Sequence, residues 1–162
     1  MNKLAYPVAA LFALGLAGSA NAQLLAHKDL SVAMATTIAQ TAIATCKAQG
    51  YNVSVHVLGR EGQVVTAARG DGAGLATYEN SMKKAYTART MSRPSGEFAA
   101  TIKANPAAGA LYLDNIVPAQ GALPIKVGNE TIGAVGVSGA PGGDKDEACA
   151  KAGIDKVADA LK

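Results

Sequence analysis

The first sustained hydrophobic pattern in the chain has a helical period. In "SVAMATTIAQTAIATCKAQ", residues 31–49, Ala35, Ile38, Ala42 and Cys46 recur at intervals of three and four and fall on one stripe. Ser31 stands where an N-cap belongs and Gly50 where such a helix stops. The period then changes to two. "NVSVHVL", from Asn52, sets Val53, Val55 and Val57 against Asn52, Ser54 and His56, and "GREG" turns the chain into "QVVTAAR", a β-hairpin. After "GDGAG" at 70–74, Thr77 offers a cap for a second helix running to about Met91, and Ser95 a cap for a short third one ending before Pro106. A looser segment, Asn105 to Gln120, leads to "ALPIKV", a turn at "GNE" and "TIGAVGVSG", a second hairpin. A last helix starts near Asp144 and continues to the C-terminus. The order helix, hairpin, two helices, hairpin, helix predicts an α+β domain, an antiparallel sheet with helices against its faces.

The N-terminus carries a different pattern. Lys3 precedes an apolar run from Leu4 to about Leu16, and "AGSANA" supplies small residues at Ala20 and Ala22, which predicts a secretory signal over residues 1–22 with cleavage before Gln23. The run is shorter than a bilayer span requires, and no later stretch is long and apolar enough to span, so the expectation is a periplasmic or secreted protein without a membrane span. Residues 23–162 are then one domain. With no Trp and two Phe, its core must be built from Ala, Val, Ile and Leu. A formal net charge of +3, without a basic cluster, argues against nucleic acid as the main partner. Cys46 and Cys149 are either a disulfide, which export permits, or two small buried side chains on separate helices.

"GVSGAPGGDKDEACAKAGI", residues 136–154, runs glycines into a helix and invites a phosphate-site reading. The P-loop spacing fails, because no Ser or Thr follows Lys145 and Asp144 puts a negative charge where the anion would sit. The dinucleotide pattern is out of register, and a hairpin precedes the helix where a βαβ unit is required. The local expectation is a helix start, with Asp144 as N-cap, Glu147 completing a capping box and Pro141-Gly142-Gly143 as the turn. Gly133, Gly136 and Gly139 differ, since glycine within a strand marks close approach by another backbone or by a ligand. The strand end near Ser138 is therefore the better site candidate.

Five segments, "RGDGAG" (69–74), "KAYTA" (84–88), "QGALPI" (120–125), "IGAVGVSGA" (132–140) and "DEACAKAGI" (146–154), resemble in order and spacing the GlcG/HbpS-like haem-binding family, which is related to the C-terminal domain of some corrinoid adenosyltransferases. The resemblance runs from about Leu30 to the C-terminus. It implies a profilin-like α/β/α sandwich with a central antiparallel sheet of about five strands, haem or a related tetrapyrrole as ligand, and a homo-oligomer. Two positions depart from the family's pattern: Gly59, where an Asp is common, and Gly121-Ala122, where a double glycine is common. The second departure narrows any site that relies on exposed backbone there.

The motifs nominate Arg69, Asp71, Gly72, Lys84, Thr87, Gly121, Ser138 and Gly139 as ligand-binding residues, with Lys84 or Arg69 meeting a propionate or another carboxylate. The bland alternative is an Arg69–Asp71 surface pair and a Thr87 that only packs. For haem iron the candidate donors are His56, Tyr112 and Met91. His56 alternates away from the valine face, and Tyr112 lies in the loose connector. No G-x-S-x-G elbow, H-E-x-x-H pair or Cys–His spacing points to a hydrolase or zinc enzyme. Two further readings stay open: an enzyme using Lys84, Arg69 and Asp71 for proton-transfer or lyase-type chemistry on a small carboxylated metabolite, and an accessory or sensory partner of a membrane protein.

Overall fold

The helical stripe becomes α1 (Val32–Ala48) in the computed structural model, which describes residues 23–162; the expected signal segment lies outside the described residues. The Ser31 hydroxyl accepts from the Met34 N–H at 3.2 Å, and Ala35, Ile38, Ala39, Ala42 and Cys46 are buried. There follow β1 (Ser54–Leu58), β2 (Val64–Arg69), α2 (Thr77–Met91), α3 (Ser95–Ala104), a 3-10 turn (Gly109–Tyr112), β3 (Ala122–Val127), β4 (Glu130–Ser138), α4 (Gly143–Lys156) and a final 3-10 turn (Ala158–Leu161).

The strands form one antiparallel sheet in the order β2-β1-β4-β3. It has four strands, not about five. The two hairpins supply all of them, because the connector lacks a period-two run and folds as loops and one 3-10 turn. Two helical layers cover the sheet. Val53, Val55, Val57, Val135 and Val137 face α1 and α4, whereas Ala122 and Ala134 meet Ala88 of α2 on the other face. His56 points away from the valines, as its alternation requires, and that face is closed by α2. This is an α+β fold of the α/β/α kind.

Three expected caps are used otherwise. Thr77 is the first residue of α2; its Oγ1 donates to the Gly74 carbonyl at 2.8 Å and pairs with Ser54 Oγ at 2.8 Å. Ser95 begins α3 after Pro94, and its Oγ accepts from the Ala122 N–H at 3.0 Å, tying α3 to the start of β3. α4 starts a residue before Asp144, with Gly142 as N-cap and no side-chain cap, so Asp144 is a first-turn acid rather than half of a capping box. The last helix also stops at Lys156 instead of reaching the terminus.

Cys46 and Cys149 are joined, with Cα atoms 5.7 Å apart across 103 residues, which staples α1 to α4. The chain-entropy model assigns a loop of that size about 4–5 kcal/mol. On the opposite face, Gly136 lets α2 lie directly on β4: a Cβ there would run into the Ser81 carbonyl oxygen and the Ala85 nitrogen. The close approach that the strand glycines predict is thus approach by backbone. Gly136→Ala should lower stability by about 1–3 kcal/mol through overpacking, and Gly109→Ala, which meets nothing within 4 Å, should change it by less than about 0.5 kcal/mol. Urea denaturation of the two variants checks this; equal midpoints would refute the account.

Candidate functional site

The end of β4 borders a cleft of about 490 Å³ between the first half of α2 and the connector. That volume falls within the range of small-molecule sites, about 300–1,000 Å³. Ala76, Asn80 and Lys83 reach it because they stand four and three residues apart and share one helical face. Ser138 forms the strand side, accepting from Asn80 Nδ2 at 2.9 Å, and Val117 forms the connector side. Thr87, one turn further along the same stripe, sets that wall: its hydroxyl donates to the Lys83 carbonyl and accepts from the Val117 N–H, both at 2.9 Å. Lys83 pairs with Glu79 at 2.6 Å on the exposed rim, and this contact holds the Glu79 carboxyl below its usual range. Large apolar side chains stand in solvent next to these elements: Leu75 just before α2, and Tyr112 and Leu113 on the connector.

The structure divides the nominated residues. Ser138 lines the cleft and Thr87 supports it. Lys84 does not reach it. Its ammonium is buried, 2.8 Å from Asp146 Oδ2 and 3.2 Å from the Val137 carbonyl, while Asp146 Oδ1 accepts from the Ala140 N–H at 2.9 Å. Burial pushes the Asp146 carboxyl above its usual range, against the pull of Lys84. Gly121 belongs to this pair. At φ +131° it passes so close that a Cβ would sit 2.8 Å from Lys84 Nζ and 2.9 Å from the Val137 carbonyl oxygen. Ala122, the departure beside it, is fully buried against α2, so no site with exposed backbone lies there. Gly139, at φ +137°, abuts the Asn52 carbonyl rather than open space.

Arg69 donates to the Ala73 carbonyl at 3.1 and 2.5 Å, closing the loop before α2, and makes no ion pair with Asp71 among the described residues. Asp71 lines a separate, smaller pocket with Lys47 and Tyr51, and Gly72, at φ +76°, turns the loop against Asn52. Of the iron-donor candidates, His56 is sealed: Nδ1 is 2.8 Å from Ser81 Oγ and the ring meets Tyr78 edge-on at 4.4 Å. Met91 ends α2, about 21 Å along the helix from Thr77 at 1.5 Å per residue. Tyr112 is 84 % exposed on the connector. Lys83, Asn80 and Ala76 were missed by sequence reasoning, although stepping back from Thr87 at helical spacing finds them. Asp146 opens the family-like segment 146–154, but nothing local in the sequence marks it as the partner of Lys84.

Removing one member of a buried pair strands the other charge, at a cost of about 3–5 kcal/mol. Lys84→Met should therefore destabilise by that amount, and adding Asp146→Leu should recover most of it; denaturant midpoints of the single and double variants check this. If the double variant were as unstable as the single, the stranded carboxylate would not be the cause. His56 supplies a pH dependence. Burial lowers its pKa from 6.5 to about 4. The unfolded chain therefore binds a proton that the folded one refuses, so this contribution, about 3 kcal/mol, is complete above pH 6.5 and is lost as pH falls toward 4. His56→Gln should flatten the loss of melting temperature between pH 7 and pH 4.5, and a slope equal to the wild type's would remove His56 as its source.

The chain matches, over residues 30–155, the family model described as haem degrading protein HbpS-like. No curated protein matches it. Among solved structures, HbpS is 32% identical with a TM-score of 0.79, covering 83% of this chain and 94% of its own. A double mutant of Streptomyces reticuli HbpS, with two glutamates changed to aspartate, is 30% identical with the same TM-score, covering 96% of this chain and 99% of its own. A haem complex of PduOC, 22% identical with a TM-score of 0.71, covers 78% of this chain and 93% of its own and shares the fold. By the extent of the family match, and by its agreement with the HbpS structures, this chain belongs to the HbpS-like family.

Proposed function

We propose that the protein binds haem or a related tetrapyrrole in the cleft beside Ser138 and sequesters it after export. The observation that carries this reading is the HbpS-like match across residues 30–155. The cleft's own chemistry fits. Ala76 and Val117 give it apolar wall, and Leu75, Tyr112 and Leu113 offer exposed apolar and aromatic surface to a macrocycle. Lys83, held only by an exposed partner, is free to exchange Glu79 for a propionate, a role that buried Lys84 cannot take. Haem, when bound, would supply an iron open to a protein donor; His56 is sealed against Ser81, whereas Tyr112 is exposed on the connector that also carries Val117, and so is the nominated residue that would be free to hold it.

Two further parts of the reading have separate support. The Cys46–Cys149 bond suits an oxidising compartment, consistent with export. Self-association is supported by apolar surface left open on the edge strand β2 and on α2, where Val64 is 52 % and Tyr78 43 % exposed. No described helix is long and apolar enough to cross a membrane.

Titration of residues 23–162 with haemin, against a carrier-protein control, should give a saturable Soret shift. Lys83→Ala should weaken binding up to about fivefold, the scale of an exposed ion pair, and Tyr112→Phe should alter the Soret and visible bands. A shift no larger than the carrier's would overturn the haem reading. Unchanged bands in Tyr112→Phe would remove that residue as the ligand.

A further inference from the structure

The open edge formed by β3 carries a second cleft, of about 480 Å³. Pro94 borders it on the α2 side and Ile154 of α4 on the other, with Leu123 and Pro124 of β3 between them. Glu147 also lines it, and its Oε2 is buried without a hydrogen-bond partner. Lys126 belongs to this cleft, and the next residue, Val127, belongs to a smaller one of about 260 Å³ whose other walls include Lys28, Asp29 and Leu161. The two clefts therefore follow one another along β3, and the second reaches the chain's own N-terminal arm.

That arm is anchored at Lys28. Arg60 donates to the Lys28 carbonyl at 3.0 and 2.6 Å while its other nitrogen pairs with Glu130 at 2.7 Å, at the start of β4. Residues 23–28 form no regular structure, and Leu24 and Leu25 are 100 % and 82 % exposed. Four extended residues from Lys28 to Leu24 span about 13 Å, the same distance as Val127 to Leu123 along β3. The apolar residues of the arm can therefore reach the apolar part of the cleft.

We infer that residues 23–28 fold back along β3 as an intramolecular strap, seating Leu24 and Leu25 against Leu123, Pro124 and Ile154. The edge strand of a second copy suits this surface less well. Pro124 lacks the N–H that a continuous ladder needs, and Lys126 puts a charge on the same edge, two features that blunt strand pairing. A short apolar strap needs the groove but not the full ladder, and its tether gives it a high effective concentration. Closed, it covers the sheet's open edge on the side of the molecule served by α4.

Hydrogen exchange tests this without haem. The chain 23–162 is compared with 28–162, which keeps the Lys28 anchor and buried Leu30, and with Leu24→Ser/Leu25→Ser, each with its fold checked by melting temperature. The β3 amides should exchange at least about tenfold more slowly in the intact chain, lose that protection in both variants, and show it equally at low and high protein concentration. Equal exchange in all three chains would overturn the strap. Protection that grows with protein concentration would overturn it too, because the arm would then be docking on another copy.

Discussion

The Lys84–Asp146 ion pair holds the two helical layers in one arrangement. Lys84 belongs to α2 and Asp146 to α4, on opposite faces of the sheet, and their charged groups meet just before the start of β3, where Gly121 leaves room. Every polar atom in the contact has a partner: the ammonium also reaches the Val137 carbonyl, and the carboxylate takes the Ala140 N–H. Such a pair adds little net stability over an apolar substitute, because desolvation offsets most of the attraction. What it adds is register. A helix slipped by one residue would leave two buried charges without partners, so alternative packings of α2 and α4 are strongly disfavoured.

The disulfide and the strand glycines act within that frame. The bond between Cys46 and Cys149 fixes α4 to α1 inside one layer, whereas Gly136 brings α2 down onto β4 in the other. A sheet whose core is made of Val, Ile and Ala has few large side chains to define spacing. Close backbone approach supplies the definition instead, and dispersion contacts increase as the elements come nearer.

Most of the fold could be read along the chain because its signals are local. The α1 stripe with Ser31, both hairpins and the order of elements depend on residues a few positions apart, and they appear where the pattern puts them. The caps of α2 and α3 were misread because Thr77 and Ser95 have tertiary partners, Ser54 and Ala122, that no local rule reveals, whereas α4 simply starts one residue earlier than Asp144. The candidate site was half legible for the same reason. Ser138 and Thr87 were found through the family-like motifs, but whether Lys84 faces a ligand or a buried carboxylate depends on Asp146, 62 residues away.

Lys83 and Lys84 show how one helix serves both the fold and the cleft. Successive residues of an α-helix are rotated by about 100°, so two adjacent lysines cannot share an environment. One rotation directs Lys84 into the interior, where it is 4 % exposed; the other leaves Lys83 on the rim with Glu79. The internal lysine fixes the rotation of α2 about its axis, and that rotation places Ala76, Asn80 and Lys83 along the cleft. Thr87 then adds the connector, bringing Val117 to the opposite wall. The cleft is thus set by contacts that lie beneath it, and a change at Lys84 would reshape the cleft without altering any residue that lines it.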